Sequence, residues 1–320
     1  MTPIDLKLSA LPVSDDVAWL FPGQGAQHVG MGRDLYDEAP AARAVFDAAD
    51  AALGVSLSSI CFDGPDDELR RTVNTQPALV VHAVAALAAA IEAGSVASRA
   101  GVMAGHSLGE YAALIAAGAI GFDEGMRLVR ERGRLMQQAC DATPGTMAAV
   151  LGMEPDELRA ICAAHGASVC NINAPGNITI GGTTEAVAAA SAAATEAGAS
   201  RVVPLEVAGA FHTPLMADAA QAMGAVLDGA AFADPTTPVI SNVTATPLSG
   251  GGALAAELTD QITMPVLWAD SVRTMLDGGA SSFIEFGPGR VLTGLVRRTE
   301  RSATLRNVAT AADARGDEAQ

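Results

Sequence analysis

Short apolar runs alternate with longer segments of helical period along most of the chain, and this alternation predicts an α/β protein. The apolar run at 17–21 predicts a strand that ends at a proline-glycine turn. A second buried strand is predicted at 101–104, where a glycine-rich turn breaks it sharply. Helical periods predict helices at 36–53, 77–93, 110–118 and 125–139.

Between residues 140 and 207 the rhythm changes to shorter elements. Predicted strands lie at 146–151, 168–173, 178–181 and 201–207, with predicted helices at 155–164 and 184–197. The resulting order is βαββαβ, which is the split pattern of a ferredoxin-like unit. We therefore predict that 140–207 forms a small subdomain inserted into a larger one.

The longer pattern returns after residue 207. It predicts strands at 238–242 and 282–286 and helices at 264–276 and 291–298. The large subdomain is therefore expected to be discontinuous, comprising 17–139 and 208–302. The segments 1–16 and 303–320 are predicted to be tails, and the second is expected to fray because its residues are small and polar.

Composition narrows the functional classes. Half of the 320 residues are apolar, so the chain can bury a large core. Lys and Arg total 19 against 36 Asp and Glu, a formal net charge of −17. An acidic surface argues against nonspecific binding to nucleic acid or to an anionic membrane. Any site for an anionic ligand must therefore be local.

The sequence predicts a cytoplasmic protein. Residues 1–16 are polar and carry no apolar signal core. The apolar run 78–93 contains His82, ends beside Glu92 and is shorter than a membrane span, so we interpret it as a buried helix. The cysteines form no CxxC pair, which favours buried, reduced thiols. They are Cys61, Cys140, Cys162 and Cys170.

The turn Gly105-His106-Ser107-Leu108-Gly109 lies between a predicted strand and a predicted helix. This is the arrangement of a nucleophile elbow, in which flanking glycines permit a strained turn that exposes the serine Oγ. The N–H of Leu108 would then face an oxyanion. The alternative interpretation is an ordinary glycine-rich turn between strand and helix.

A serine nucleophile needs a base, and the histidines differ in suitability. His82 lies in an apolar helix and His165 at a helix end, so both fit structural positions. His106 is too close in sequence to Ser107 to face its Oγ easily. His212 lies in a glycine-containing loop just after the inserted unit, where a cleft is expected, and is the candidate base.

Six short motifs follow one another along the chain. They are Phe-Pro-Gly-Gln-Gly at 21–25, Gly-His-Ser-Leu-Gly-Glu-Tyr at 105–111, Arg-Gly-Arg-Leu-Met at 132–136, Asn-Ala-Pro-Gly at 173–176, Gly-Ala-Phe-His at 209–212 and Glu-Phe-Gly-Pro-Gly at 285–289. Together they resemble the malonyl-CoA:acyl carrier protein transacylases and the related acyltransferase domains of polyketide synthases. The resemblance covers about residues 17–298.

The resemblance implies an α/β-hydrolase-like large subdomain with a ferredoxin-like insertion. It also implies that Ser107 accepts the acyl group, that His212 is its base, and that the N–H groups of Gln24 and Leu108 form the oxyanion hole. The main-chain carbonyl of Gln261 would orient the histidine.

Four further residues are implied to contact substrate. Arg132 would hold the malonyl carboxylate through a paired, charge-assisted contact. Phe211, Gln76 and Asn173 match positions of the substrate pocket, and a bulky aromatic residue at 211 accompanies malonyl selection in the family.

The expected reaction moves a malonyl group from malonyl-CoA to the phosphopantetheine thiol of an acyl carrier protein, through a malonyl-serine, without metal or cofactor. An ordinary hydrolase of this fold would run Ser, acid, His with a late histidine, whereas a long stretch of chain follows His212 here. The alternatives are a stand-alone polyketide synthase acyltransferase acting in trans, a thioesterase, and a non-catalytic protein that docks the carrier.

Overall fold

The computed structural model describes residues 4, 6, 8–248 and 250–317. Its strands are β1 (Val13–Phe21), β2 (Arg99–Gly105), β3 (Thr146–Leu151), β4 (Ser168–Ala174), β5 (Asn177–Gly182), β6 (Arg201–Pro204), β7 (Val239–Ile240), β8 (Ser282–Phe286) and β9 (Thr304–Val308). They form two sheets. One belongs to the large subdomain and the other to the inserted βαββαβ unit.

The helices are, in chain order, α1 (Arg33–Glu38), α2 (Pro40–Leu53), α3 (Leu57–Asp63), α4 (Asp66–Arg70), α5 (Thr72–Glu92), α6 (Gly109–Ala116), α7 (Phe122–Ala142), α8 (Pro155–His165), α9 (Thr184–Glu196), α10 (Ala217–Leu227), α11 (Leu254–Asp260), α12 (Trp268–Asp277), α13 (Val291–Thr299) and α14 (Ala311–Arg315). Short 3₁₀ helices lie at Leu8–Ala10, Pro214–Met216 and Gly251–Ala253.

The larger sheet is parallel, with the order β7-β2-β1-β8-β9. Central β1 is apolar from Ala18 to Phe21, and these residues are fully buried, as expected for a strand covered on both faces. Phe21 pairs with Gly105, so β1 and β2 end side by side. Ligands bind beyond the carboxyl ends of parallel strands, which directs attention to the two turns that follow.

The smaller sheet is antiparallel, with the order β4-β5-β3-β6. Numbered within the unit, this is 2-3-1-4, the order of a ferredoxin-like fold, and α8 and α9 contribute to its buried cluster. The structure confirms the predicted fold class of a large α/β subdomain with an inserted βαββαβ unit. Reciprocal backbone hydrogen bonds, Ile172 N–H to Val266 O and Val266 N–H to Cys170 O, both 2.9 Å, join the two subdomains.

Helix α5 confirms the prediction of a buried helix. By length and composition it could span a membrane, but 94% of its most apolar window is buried within the described structure. It packs against α2 and α7 in the main core. The four cysteines are buried and free, as predicted.

The two predicted tails differ from the structure. Residues 304–308 form strand β9, which extends the parallel sheet beyond β8, and α14 follows with a capping box between Thr310 and Asp313. The small, polar sequence gave no hydrophobic signal because β9 lies at the edge of the sheet and its residues are mostly half-buried. Strand β1 begins at Val13 rather than at residue 17. Residues 14–16 lie beyond the buried part of the sheet, so they carry no apolar pattern that would predict a strand. Residues 1–3, 5, 7 and 318–320 of the predicted tails lie outside the described residues.

One predicted helix is divided. The segment 36–53 was predicted to be a single helix, but α1 ends at Glu38 and α2 starts at Pro40. Ala39 between them is extended, as proline disfavours helical backbone in the residue before it.

Candidate active site

The turn after β2 holds Ser107 in a strained backbone conformation. Ser107 has φ of 52°, in the left-handed region that favours glycine. A Cβ at Gly105 would lie 1.9 Å from the carbonyl carbon of Gly109, and a Cβ at Gly109 would lie 2.1 Å from the oxygen of Phe21. Only glycine fits at both positions. The turn therefore has the packing that a nucleophile elbow requires.

Hydrogen bonds to the backbone fix this turn. The N–H of His106 donates to the Phe21 carbonyl at 3.0 Å. The side chain of Asn242 spans the strained segment, because its Oδ1 accepts from the Ser107 N–H at 2.6 Å and its Nδ2 donates to the Gly105 carbonyl at 2.7 Å. Asn242 lies in none of the six sequence motifs. The available signal was a polar residue at the end of a predicted strand.

His212 reaches Ser107 from the loop that follows the small subdomain. Its Nε2 lies 2.8 Å from the Ser107 Oγ. On the other side of the ring, Nδ1 lies 2.8 Å from the Gln261 carbonyl and 3.2 Å from that of Met264. Carbonyl oxygens only accept hydrogen bonds, so Nδ1 carries the proton and Nε2 accepts from the serine hydroxyl.

The environment keeps His212 neutral. Burial first, and then the charge of Arg132, lower the pKa of His212 to about 3. At neutral pH its Nε2 is therefore free of a proton and can take one from Ser107. The buried His82 also has a pKa lowered to about 3, chiefly by burial, but it lies in the core helix α5.

Arg132 is fully buried beside the serine. Its Nη1 donates to the Gln76 Oε1 at 2.7 Å, and its Nη2 donates to the Gln261 Oε1 at 3.0 Å and to the Ser107 Oγ at 3.2 Å. Burial lowers the pKa of Arg132, but arginine in proteins remains a cation. Its Nε is buried with no acceptor among the described residues. A cation with an unused donor thus lies against the nucleophile.

A cleft of about 660 Å³ opens in front of Ser107 and His212. Gln24, Asn173 and Phe211 also line it, together with residues of both subdomains. In the part of the chain that the structure describes, the backbone N–H groups of Gln24 and Leu108 donate to no protein acceptor. Gln24 lines the cleft, whereas Leu108 is fully buried directly after Ser107 and is not one of the lining residues.

The remaining predicted residues lie at different depths. Asn173 is on the cleft wall, where its Oδ1 lies 3.0 Å from the His106 Nε2 and its Nδ2 donates to the Thr179 Oγ1 at 3.2 Å. Phe211 is buried on the same wall beside His212. Gln76 was expected to line the cleft, but it is fully buried behind the wall, where it contacts Arg132 and the side chain of Gln24.

Glu110 is a further residue to which sequence analysis gave no role. It is fully buried, and its Oε2 accepts a hydrogen bond from the Gln261 Nε2. Burial, followed by the charge of Glu257, raises the pKa of Glu110 well above its ordinary value. A buried carboxyl group so close to the nucleophile could have been suspected from its place in the motif Gly-His-Ser-Leu-Gly-Glu.

A search of the described residues for three or more His, Cys, Asp or Glu side chains placed to hold a metal ion finds no such group. The cleft presents a serine and a neutral histidine, and a buried arginine lies directly behind the serine. This set suits nucleophilic attack on an acyl group followed by its transfer.

Comparison with known proteins points the same way. The model of the acyl transferase domain family matches residues 18–316. A malonyl CoA-acyl carrier protein transacylase of Bacillus subtilis is 43% identical over 290 residues, covering 89% of this chain and 90% of the relative. One of Escherichia coli K12 is 42% identical over 285 residues, covering 88% and 92%.

Solved structures extend the similarity to the fold. The malonyl-CoA:acyl carrier protein transacylase of Xanthomonas oryzae has a TM-score of 0.90 and 40% identity, with 95% of this chain and 98% of that chain covered. A malonyl-transacylase in complex with a type II polyketide synthase acyl-carrier protein has a TM-score of 0.89 and 36% identity, with 94% and 98% covered.

Proposed function

The chain belongs to the acyl transferase domain family, and on this premise we propose that it transfers a malonyl group from malonyl-CoA to the phosphopantetheine thiol of an acyl carrier protein. It is an acyltransferase. The observation that carries the malonyl assignment is the buried guanidinium of Arg132, whose Nη2 lies 3.2 Å from the Ser107 Oγ. A neutral acyl group gains nothing from a cation at that position, whereas a malonyl group brings a carboxylate to it.

In the first half-reaction Ser107 attacks the thioester carbonyl of malonyl-CoA. The Oγ–C bond forms while the hydroxyl proton moves to the His212 Nε2, 2.8 Å away. The resulting imidazolium keeps its Nδ1–H on the Gln261 carbonyl, which stabilises the positive charge. When the C–S bond breaks, the proton passes from Nε2 to the CoA sulfur, and malonyl-serine remains.

The tetrahedral intermediate carries its negative charge on the former carbonyl oxygen. The N–H groups of Gln24 and Leu108 are the proposed donors, and their lack of an acceptor among the described residues supports this role. Such prearranged donors typically contribute about 2.7–4 kcal/mol to transition-state stabilisation.

Arg132 is proposed to bind the malonyl carboxylate along the edge formed by its Nε and Nη2. Nη1 donates to Gln76 and Nη2 to Gln261 and the Ser107 Oγ, whereas the buried Nε has no acceptor in the described structure. The carboxylate would therefore replace the Ser107 Oγ as an acceptor of Nη2. A carboxylate on that edge would satisfy the unused donor through a two-point, charge-assisted contact. Phe211 and Asn173, both on the cleft wall, are the proposed pocket residues.

In the second half-reaction the phosphopantetheine thiol of the carrier protein replaces CoA, and the steps reverse. His212 takes the thiol proton and the sulfur attacks the ester carbonyl. The bond between the Ser107 Oγ and the acyl carbon then breaks, and the proton returns from Nε2 to the Ser107 oxygen. A thioester, an oxygen ester and a thioester follow one another, so the reaction balances without a metal, a nucleotide or a redox cofactor. The buried, free thiols support a reducing compartment, and we propose that the protein is cytoplasmic.

Intact-mass measurement tests the proposal. Purified protein mixed with malonyl-CoA should gain one malonyl group, and addition of a holo carrier protein should remove it and load the carrier. Because one structural relative is bound to a polyketide synthase carrier, carriers of fatty-acid and polyketide type should be tried separately. Rapid release of free malonate without a carrier would instead identify a thioesterase, and carrier binding with neither adduct nor malonate release would identify a non-catalytic docking protein.

A further inference from the structure

Glu110 is a buried carboxyl group that none of the steps above uses. It is the second residue of α6, and its N–H donates to the Ser107 carbonyl at 3.1 Å. Its Oε2 accepts from the Gln261 Nε2, whereas its Oε1 has no hydrogen-bond partner among the described residues. Gln261 is therefore the side chain that this carboxyl group contacts, and the backbone N–H of Asn242 also lies close enough to lower the pKa of Glu110.

Gln261 joins the three main parts of the site. Its backbone carbonyl accepts from the His212 Nδ1, and its side-chain Oε1 accepts from the Arg132 Nη2 at 3.0 Å. Its Nε2 has two acceptors, the Glu110 Oε2 and, at 3.0 Å, the Ser107 carbonyl. The orientation of this one amide thus affects the contact to Arg132.

An amide side chain has donors on one side and an acceptor on the other. If the Gln261 amide turned by half a rotation, its NH₂ would face the guanidinium of Arg132, and its oxygen would face two other oxygens. The Ser107 carbonyl, which can only accept, and the accepting Oε2 of Glu110 therefore both favour the orientation in which Oε1 faces Arg132.

The arrangement also keeps Arg132 available for substrate. No described carboxylate lies within ion-pair distance of its guanidinium, because the Gln261 amide stands between Arg132 and Glu110. A direct ion pair would compete with an incoming carboxylate for the same donors. An amide oxygen holds the guanidinium in place without neutralising it.

We propose that Glu110 is a positioning residue for malonyl selection, whose accepting oxygen orients the Gln261 amide and thereby holds Arg132 beside Ser107. This inference rests on the proposed malonyl transfer. Its effect is specific to acyl groups that bear a carboxylate, since an acetyl group does not use Arg132. A purely structural role for Glu110 at the start of α6 would affect both acyl groups equally.

Two substitutions separate the accepting oxygen from the charge. Glu110→Gln keeps an oxygen that can accept from Gln261, and Glu110→Leu removes it at similar size. We expect Glu110→Leu to reduce the ratio of malonyl to acetyl kcat/KM by about tenfold and Glu110→Gln to retain most of the preference. Glu257→Gln, which changes a nearby carboxyl group bonded to Ser241, is the matched control and should leave the ratio unchanged.

A double-mutant cycle gives a readout that a structural role would not move. Gln261→Leu retains the backbone carbonyl that contacts His212 but removes the amide. If Glu110 acts through that amide, the losses from Glu110→Leu and Gln261→Leu should not add. Thermal unfolding establishes that each variant is folded.

Three outcomes overturn the inference: equal loss of preference in Glu110→Leu and Glu110→Gln, equal losses for malonyl and acetyl transfer, or additive losses in the cycle. An unchanged ratio in folded Glu110→Leu overturns it as well. Failure of the wild type to form malonyl-serine is a separate result, and it removes the proposed function itself.

Discussion

Replacing Arg132 by alanine tests whether the buried guanidinium binds the malonyl carboxylate. The substitution removes the donor edge next to Ser107 but leaves Ser107, His212 and the two proposed oxyanion donors in place. A charge-assisted hydrogen bond contributes about 1.5–3 kcal/mol. The ratio of malonyl to acetyl kcat/KM should therefore fall by about one to two decades.

The same change has a cost for folding, and the structure shows its source. Without Arg132, the Oε1 atoms of Gln76 and Gln261 lose donors at 2.7 and 3.0 Å inside the core. A buried polar group left unsatisfied costs about 1–3 kcal/mol, so the variant should also be less stable. This loss affects malonyl and acetyl transfer alike, which is why the ratio of the two is the decisive quantity.

The assay measures kcat/KM for transfer from malonyl-CoA and from acetyl-CoA to the same carrier protein, with thermal unfolding as a check on folding. Arg127→Ala is the matched control, because Arg127 lies on the same helix but is exposed and pairs with Glu124 at the surface. Arg132→Lys retains the charge without the two-point edge and should fall between wild type and alanine. Equal losses for both acyl groups in Arg132→Ala would refute the reasoning and make Arg132 structural.

The remaining predictions concern the nucleophile, the acyl pocket and two histidines. Ser107→Ala should fold and form no malonyl adduct by intact mass; a full-strength adduct would move the nucleophile elsewhere. Phe211→Ser should narrow the ratio of kcat/KM for malonyl-CoA over methylmalonyl-CoA, because removing the ring makes room for the added methyl group. A methyl group is worth only about 1–3 kcal/mol in an apolar pocket, which limits the preference of the wild type. An unchanged ratio in a folded variant counts against Phe211 as the selector. The rate of single-turnover acylation should not change with pH near 6.5, since the His212 pKa is about 3. A rate that falls as the pH drops through 6.5 would contradict a neutral His212 base. Both His82 and His212 have pKa values of about 3 in the folded protein, below the ordinary value of 6.5. Between these two pH values the unfolded chain therefore binds more protons than the folded one, and the free energy of unfolding should fall as the pH is lowered from 6.5 to 3. His82→Leu should make this fall smaller in denaturant titrations at different pH.

Local sequence determined the parts of this protein that depend on local geometry. Glycines at 105 and 109 predict the elbow because the close approach of two backbone segments excludes any side chain there. The βαββαβ order of the small subdomain could also be predicted, since each of its elements carries its own period and is bounded by turn residues. The candidate base His212 was favoured by its place at the junction of the subdomains.

The roles of the substrate-contacting residues came from the resemblance. For Arg132, hydrophobic periodicity could also have supplied a signal. Helix α7 carries several arginines, and only position 132 shares the buried face with Leu128, Val129 and Met136. A charged residue on the apolar face of an amphipathic helix needs a partner or a ligand. Its spacing could therefore have marked Arg132 as exceptional, but it would not have indicated what Arg132 contacts.

Tertiary structure alone decided the contacts between distant segments. Asn242 and Gln261 reach Ser107 from positions 135 and 154 residues away in the chain, and Glu110 acquires its role only because Gln261 lies against it. Strand β9 is polar and short, and it is a strand because β8 offers a free edge. Periodicity records which face of an element is buried, whereas the partner of a buried polar group depends on which distant segment packs against it, and that is settled only when the chain folds.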